Sequence, residues 1–229
     1  MADPVFLITG ASSGIGAATA RAVAQAGYRL VLAARSRDKL DDLAGSLGGE
    51  DRVLTVGCDV QDGNQQAAMV AQALDHFGRI DVVYANAGRP GEPGGFSGAD
   101  AEVWRDMVLT NVYGVALTVQ HCLPALRRSR GHLLLTGSAA GRVTIPGSMY
   151  SATKWAVSAI GYNVREEVRG SGIRVSLIEP GMVDTAFFDT PPETALKPDD
   201  IARSVLYAVS QPRHVDVNEI LVRPTPAIE

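Results

Sequence analysis

"VFLITGASSGIGAATARAVAQAG", residues 5–27, decides the fold of this chain. Residues 5–9 form a short apolar run suited to a strand. Residues 14–27 carry an Ala-rich helical spacing that stops at Gly27. Between them lies a loop with Thr9, Gly10, Ser12, Ser13, Gly14, Ile15 and Gly16. A strand that passes through such a loop straight into a helix aims the free N–H groups and partial positive charge of the helix at the strand's carboxyl end. Glycines there allow a tight turn and let the backbone come close to a ligand. The spacing differs from the usual G-x-G-x-x-G, and the pattern alone also fits a plain turn. Its position directly behind an opening strand favours a nucleotide, whose pyrophosphate suits a helix N-terminus.

The same alternation continues outward from this unit. Apolar runs at 29–34, 52–60, 80–88, 132–138, 173–181 and 218–224 read as six more strands. Helical patterns fall at 37–47, 62–77, 101–128, 149–169 and 198–210, with a Gly/Pro-rich loop at 89–98. Strands separated by helices of this length run parallel, joined by right-handed crossovers. Their nearly continuous apolar character requires a sheet covered on both faces. No repeat, low-complexity tract or linker divides the chain. The expected architecture is a single doubly wound, Rossmann-type α/β domain over residues 1–229, with a seven-stranded, mostly parallel sheet and helices on both faces.

Composition narrows the function classes. Of 229 residues, 46% are hydrophobic and 20% charged, and the formal net charge is -4. That balance offers no basic surplus for nucleic acid, while a local positive site for an anionic small molecule stays open. Cys58 and Cys122 are too few and too far apart for a disulfide framework and suit a reducing compartment. His76, His121, His132 and His214 show no metal-ligand spacing, so no metal is expected. The N-terminal "MADPVFLITG" lacks the features of a signal peptide, and no apolar run reaches the length of a membrane span. A cytoplasmic protein without membrane contact is expected.

The end of the second strand, "LAARSR", bears on the choice of dinucleotide. A carboxylate at this point accepts from the ribose 2′-hydroxyl of NAD. Here Ala34 is followed by Arg35, Ser36 and Arg37. A guanidinium fork matches phosphate oxygens and stacks on adenine. A basic residue at a helix start is unfavourable unless an anion sits beside it. Arg35 therefore argues for the 2′-phosphate of NADP(H), with Ser36, Arg37 and Ser12 as further hydrogen-bond partners.

"YSATK" (150–154) places Tyr150 and Lys154 one helical turn apart on one face. A free phenol has a pKa of about 10. A neighbouring ammonium favours the phenolate and lowers that value, giving a general acid/base. A bare Tyr/Lys pair is common on exposed helices, and its neighbours decide the matter. Ser138 lies at the carboxyl end of the fifth strand, and Asn86, Ala87 and Gly88 lie at that of the fourth. This is the edge where open α/β sheets bind ligands. Asn111 sits within the long helix, a polar residue with local alternatives to helical pairing.

In this order and spacing, the chain resembles the short-chain dehydrogenase/reductase family over essentially its full length. The residues that carry the likeness are Thr9, Gly10, Gly14 and Gly16, Asp59, "NAG" at 86–88, Asn111, Ser138, Tyr150, Lys154 and "PGMVDT" at 180–185. The resemblance implies that Tyr150 protonates a carbonyl oxygen as a nicotinamide delivers hydride. It implies that Ser138 hydrogen-bonds the same oxygen, and that Lys154 lowers the Tyr150 pKa and binds the nicotinamide ribose. Asn111 would hold a water that links Lys154 to solvent. Asp59 would meet the adenine, Asn86 would flank the cofactor, Val183 and Thr185 would contact the carboxamide, and Val60, Pro180 and Gly181 would be further cofactor contacts. A non-catalytic NADP(H)-binding sensor of the same fold is the alternative, but such proteins lose acid/base residues that this chain retains.

The resemblance also implies a substrate lid at 184–198, whose large apolar groups are Phe187, Phe188 and Leu196. Its shortness suggests a small or medium carbonyl or alcohol substrate. The ending "VNEILVRPT" resembles the NADP-dependent subgroup that includes serine and 3-hydroxy acid dehydrogenases. Arg89 and Arg142 are the candidate cations for a carboxylate substrate. The interval from Ser138 to Tyr150 is one residue shorter than is common, which predicts a tighter loop. Family members pair through the two long helices, so a homodimer or homotetramer is expected, with Ala152, Ala156 and Ala159 allowing close approach.

Overall fold

The computed structural model describes residues 3–188 and 190–225. Asp189, inside the expected lid, and both ends of the expected domain (1–2 and 226–229) lie outside the described residues. The strands are β1 (Val5–Thr9), β2 (Arg29–Ala34), β3 (Val53–Gly57), β4 (Val82–Ala85), β5 (His132–Thr136), β6 (Arg174–Pro180) and β7 (Glu219–Val222). They form one sheet in the order β3-β2-β1-β4-β5-β6-β7. All six pairings are parallel, so the expected "mostly parallel" sheet is parallel throughout. The order reverses between β1 and β4, and that reversal opens a crevice outside the strands' carboxyl ends.

The helices are α1 (Gly14–Gln25), α2 (Arg37–Gly45), α3 (Gly63–Phe77), α4 (Gly95–Gly98), α5 (Ala101–Val108), α6 (Gly114–Ser129), α7 (Met149–Glu167) and α8 (Pro198–Ser210). Successive strand residues point to opposite faces, and both faces are buried. Val5 and Leu7 enter a core with Met69 of α3, Leu126 of α6 and Val157 of α7. Phe6 and Ile8 enter the opposite core with Val23 of α1, Leu40 of α2 and Val205 of α8. This double burial anchors β1 and therefore fixes where the glycine loop emerges.

Two local features depart from expectation. The Gly/Pro-rich loop at 89–98 ends in the single turn of α4. The long helix expected over 101–128 is three segments, because a π-helical turn at Leu109–Tyr113 separates α5 from α6. A π turn takes one extra residue per turn and re-aims its side chains. Asn111 lies in this turn and is fully buried. Its Oδ1 accepts from the Arg89 N–H at 2.7 Å, and its Nδ2 donates to the Arg89 carbonyl at 3.1 Å and to Thr153 Oγ1 at 3.2 Å. The turn thus ties the chain leaving β4 to α7.

Candidate active site

A cleft of about 1020 Å³ runs along the carboxyl edge of the sheet. Of the residues expected to bind a cofactor or act in catalysis, all line it except Gly16, Arg37 and Asn111. At one end lie the loop behind β1, Arg35 and Ser36 behind β2, and Asp59 and Val60 behind β3. At the other lie Ser138, Tyr150 and Lys154, faced by Pro180, Gly181, Val183 and Thr185.

The loop is held from below rather than by its own side chains. Thr9 Oγ1 accepts from the N–H groups of Asn86 and Ala87 at 3.1 and 3.2 Å. Asn86 Nδ2 donates to the carbonyls of Thr9 and Gly10 at 3.1 and 3.3 Å. Gly10 has a φ of +65°, and a Cβ there would sit 2.8 Å from the Ala87 Cα. A Cβ on Gly16 would collide with the Gly10 carbonyl, so Gly16 acts in packing the helix against the loop. Ser13, at the start of α1, makes no side-chain cap, which leaves the first N–H groups of the helix without that partner. An anion at this end would complete them.

Arg35 makes no ion pair among the described residues. Arg37, expected to assist it, does not line the cleft and lies 4.0 Å from Asp41. Asp59 Oδ1 accepts from the Gln61 N–H at 3.0 Å, which fixes the carboxylate at the cleft wall. Glycine loop, free helix start, guanidinium and carboxylate together fit a dinucleotide laid along this edge.

The opposite end concentrates titratable groups. Ser138 Oγ donates to the Pro180 carbonyl at 3.3 Å and accepts from the Ala140 N–H at 3.0 Å. Burial pushes the Tyr150 pKa up to about 12, and the neighbouring Ser138 hydroxyl opposes this only in part. Lys154 is 3% exposed, and burial lowers its pKa to about 8. Its Nζ donates to the Thr136 carbonyl at 2.8 Å and stands 5.6 Å from the centre of the Tyr150 ring. The ammonium is engaged on that strand-end carbonyl, and desolvation governs the phenol. Gly88 separates Lys154 from Asn111: a Cβ there would lie 3.4 Å from Asn111 Oδ1 and 3.8 Å from Lys154 Nζ.

The candidate carboxylate-binding cations are both neutralised. Arg89 pairs with Asp106 at 2.6 Å. Arg142 donates to both oxygens of Glu179 and also meets Glu219. Among the expected lid residues, Phe187 and Phe188 are half-exposed on the cleft wall, not core. Leu196 instead packs partly buried against the core, where its N–H donates to the Met182 carbonyl at 2.9 Å. Sequence reasoning missed Thr136, Met182 and Arg223 on the cleft wall. Each lies at or just beyond a strand's carboxyl end, the signal that pointed to Ser138. Among the described residues, no cluster of three or more metal-ligating side chains occurs, and no helix is long and apolar enough to cross a membrane.

The sequence matches the family model for short chain dehydrogenases over residues 4–195. This chain belongs to the short-chain dehydrogenase family. An uncharacterized oxidoreductase of Staphylococcus aureus strain USA300 is 38% identical over 229 residues, covering 98% of each chain. A solved alcohol dehydrogenase of the archaeon Thermococcus sibiricus, complexed with 5-hydroxy-NADP, shares 34% identity at a TM-score of 0.91, over 99% of this chain and 100% of that one. A 3-ketoacyl-(acyl-carrier-protein) reductase from Brucella melitensis, complexed with NADH, shares 28% identity at a TM-score of 0.89, over 96% of both chains. Both solved relatives carry a nicotinamide dinucleotide, and membership of this family makes the chain an oxidoreductase.

Proposed function

We propose that this protein is an NADP(H)-dependent carbonyl reductase or alcohol dehydrogenase acting on a small or medium substrate, with Tyr150 as the acid/base. The observation that carries the reading is the convergence of Ser138, Tyr150 and Lys154 on one end of the cleft, with the Lys154 ammonium 5.6 Å from the centre of the Tyr150 ring. When bound, the dinucleotide supplies the hydride.

The residues of the chain supply position and a proton. Gly10, Ser12, Ser13, Gly14 and Ile15 would take the pyrophosphate at the start of α1, and Asp59 and Val60 the adenine. Asn86, Ala87 and Gly88 would flank the middle of the cofactor, and Lys154 would bind the nicotinamide ribose. Pro180, Gly181, Val183 and Thr185 would hold the carboxamide. Arg35 and Ser36 would take the 2′-phosphate; no carboxylate stands at the end of β2 to repel it. With a pKa near 12, Tyr150 is protonated at neutral pH and acts as the acid in carbonyl reduction. Its O–H bond breaks as the O–H bond of the product alcohol forms. Ser138 would turn its hydroxyl proton from the Pro180 carbonyl to the same oxygen, and the nearby ammonium favours the phenolate left behind. Asn111 and Lys154, flanking Gly88, would pass the replacement proton from solvent through a water.

The segment 184–198 would act as the lid, with Phe187 and Phe188 against substrate. Ala152, Ala159 and Trp155 are exposed along α7, which supports assembly into a homodimer or homotetramer through that helix. Sedimentation measures that state. The reading is tested by following NADPH and NADH oxidation with a panel of small aldehydes and ketones. Turnover is expected with NADPH preferred. Absence of turnover across the panel with either dinucleotide rejects the enzyme in favour of a binding protein.

A further inference from the structure

We propose that Arg142, clamped by Glu179 and Glu219, is a positioning residue that holds the Ser138 hydroxyl in register with the Tyr150 hydroxyl. The inference rests on the reading above, in which both hydroxyls act on the substrate oxygen.

Ser138 opens a 3-10 turn, Ala139–Gly141, that Arg142 closes. Both ends of this turn are tied to consecutive residues of β6. At the start, Ser138 Oγ donates to the Pro180 carbonyl at 3.3 Å. At the end, Arg142 Nε and Nη2 donate to the two oxygens of Glu179 at 2.8 and 2.7 Å. The hydrogen bonds and the backbone thus make a closed ring through the turn and the strand. The ring is also pressed from both sides. A Cβ on Gly137 would sit 2.9 Å from Glu179 Cγ, and one on Gly141 would sit 2.8 Å from the Lys154 carbonyl. Ser158 Oγ, on α7, reaches Glu179 Oε1 at 3.4 Å and the Lys154 carbonyl at 3.3 Å. Glu219 brings in β7 as a third wall.

Glu179 is fully buried. Arg142 and Glu219 keep about a third of their side chains exposed, and an ion pair around one buried carboxylate is a poor way to gain stability, since an apolar side chain of similar volume in place of Glu179 serves as well or better. What the cluster gives is geometry. A planar guanidinium bound at two oxygens fixes a plane and two distances, whereas an ammonium fixes a single point. The fixed object is the turn that begins at Ser138, which lines the same end of the cleft as Tyr150.

Arg142→Lys and Glu179→Gln test this, each compared with wild type for ketone reduction and for amide hydrogen exchange at Ala140, whose N–H is bonded to Ser138. Both are expected to exchange faster at Ala140, with the amides of β1, β2 and β4 unaffected. Both should lose about tenfold to a hundredfold in kcat, as misplacement of a reacting group does, while KM and dinucleotide affinity hold. If kcat is unaltered although exchange at Ala140 has risen, the proposal is overturned, because register would not matter to turnover. Unaltered exchange at Ala140 overturns it as well, because the clamp would not hold the turn. If one variant does not fold, the other carries the same comparison. If wild-type turnover survives Tyr150→Phe, the reading of the site fails instead, and exchange at Ala140 still judges the clamp.

Discussion

The two ends of the cleft are built on different principles. The end behind β1, β2 and β3 is made of backbone: glycines pressed on neighbouring main chain, an uncapped helix start, and exposed polar side chains around them. The end behind β5 and β6 is made of titratable groups whose proton affinities desolvation has moved, the partly buried Tyr150 upward and the buried Lys154 downward. The first end suits holding a charged ligand in water-accessible surroundings. The second suits moving a proton where water is scarce. Damage at the first end should therefore alter binding and leave chemistry, and loss of the Tyr150 hydroxyl at the second should do the reverse.

The largest expected effect comes from Lys154→Met. Turnover should fall by about 10²–10⁴-fold, the usual contribution of an acid/base system. The folded protein should become more stable. Burial lowers the Lys154 pKa from 10.5 to about 8, a penalty on the order of 3 kcal/mol, since each pKa unit is worth about 1.4 kcal/mol. Between those two values the unfolded chain holds the proton and the folded chain does not, so wild-type stability rises with pH there. Below pH 8 the full penalty remains. Urea denaturation should show the gain in Lys154→Met at pH 7, shrinking towards pH 10. An unchanged or lower midpoint at pH 7 contradicts a buried, poorly compensated ammonium. In the wild type, reductase turnover should decline above about pH 8 as this charge is lost.

Next in size, Arg35→Ala should weaken NADPH by about tenfold to a hundredfold, the scale of lost charge-assisted hydrogen bonds, and leave NADH and kcat unchanged. Equal weakening of both dinucleotides, read by fluorescence titration, removes the 2′-phosphate from the account. Gly10→Ala forces a side chain onto a φ of +65° against the Ala87 backbone. It should destabilise the fold by more than about 1 kcal/mol and weaken both dinucleotides alike. The smallest effect belongs to Arg89→Ala. Its pair with Asp106 is partly exposed, so its loss should change stability by less than about 1 kcal/mol. A larger loss in denaturation would show that Arg89 does more than pair with Asp106.

The sheet and the first end of the cleft were legible because their information is local. Strand, glycine loop and helix follow one another within residues 5–27, and the end of β2 states its charge directly. The second end was legible only as a set of residue types. Tyr150 and Lys154 share a helix face by spacing alone, yet what surrounds them comes from Thr136, Ser138 and Pro180 on other elements. The ion pairs that occupy Arg142 were hidden because Glu179 and Glu219 belong to β6 and β7, far along the chain. The π turn at Asn111 was hidden for a related reason. Helical periodicity continues through it, and the turn shows itself in contacts with the Arg89 backbone and Thr153. Arg223 follows β7, whose pairing with β6 carries the chain to the cleft edge beside Gly181.

Tyr150→Phe tests the division between a binding end and a reacting end most directly, with NADPH affinity and ketone turnover measured on the same sample. The account predicts unchanged affinity and a fall in kcat of about 10²–10⁴-fold. Turnover that persists, or affinity that falls as far as turnover, contradicts it.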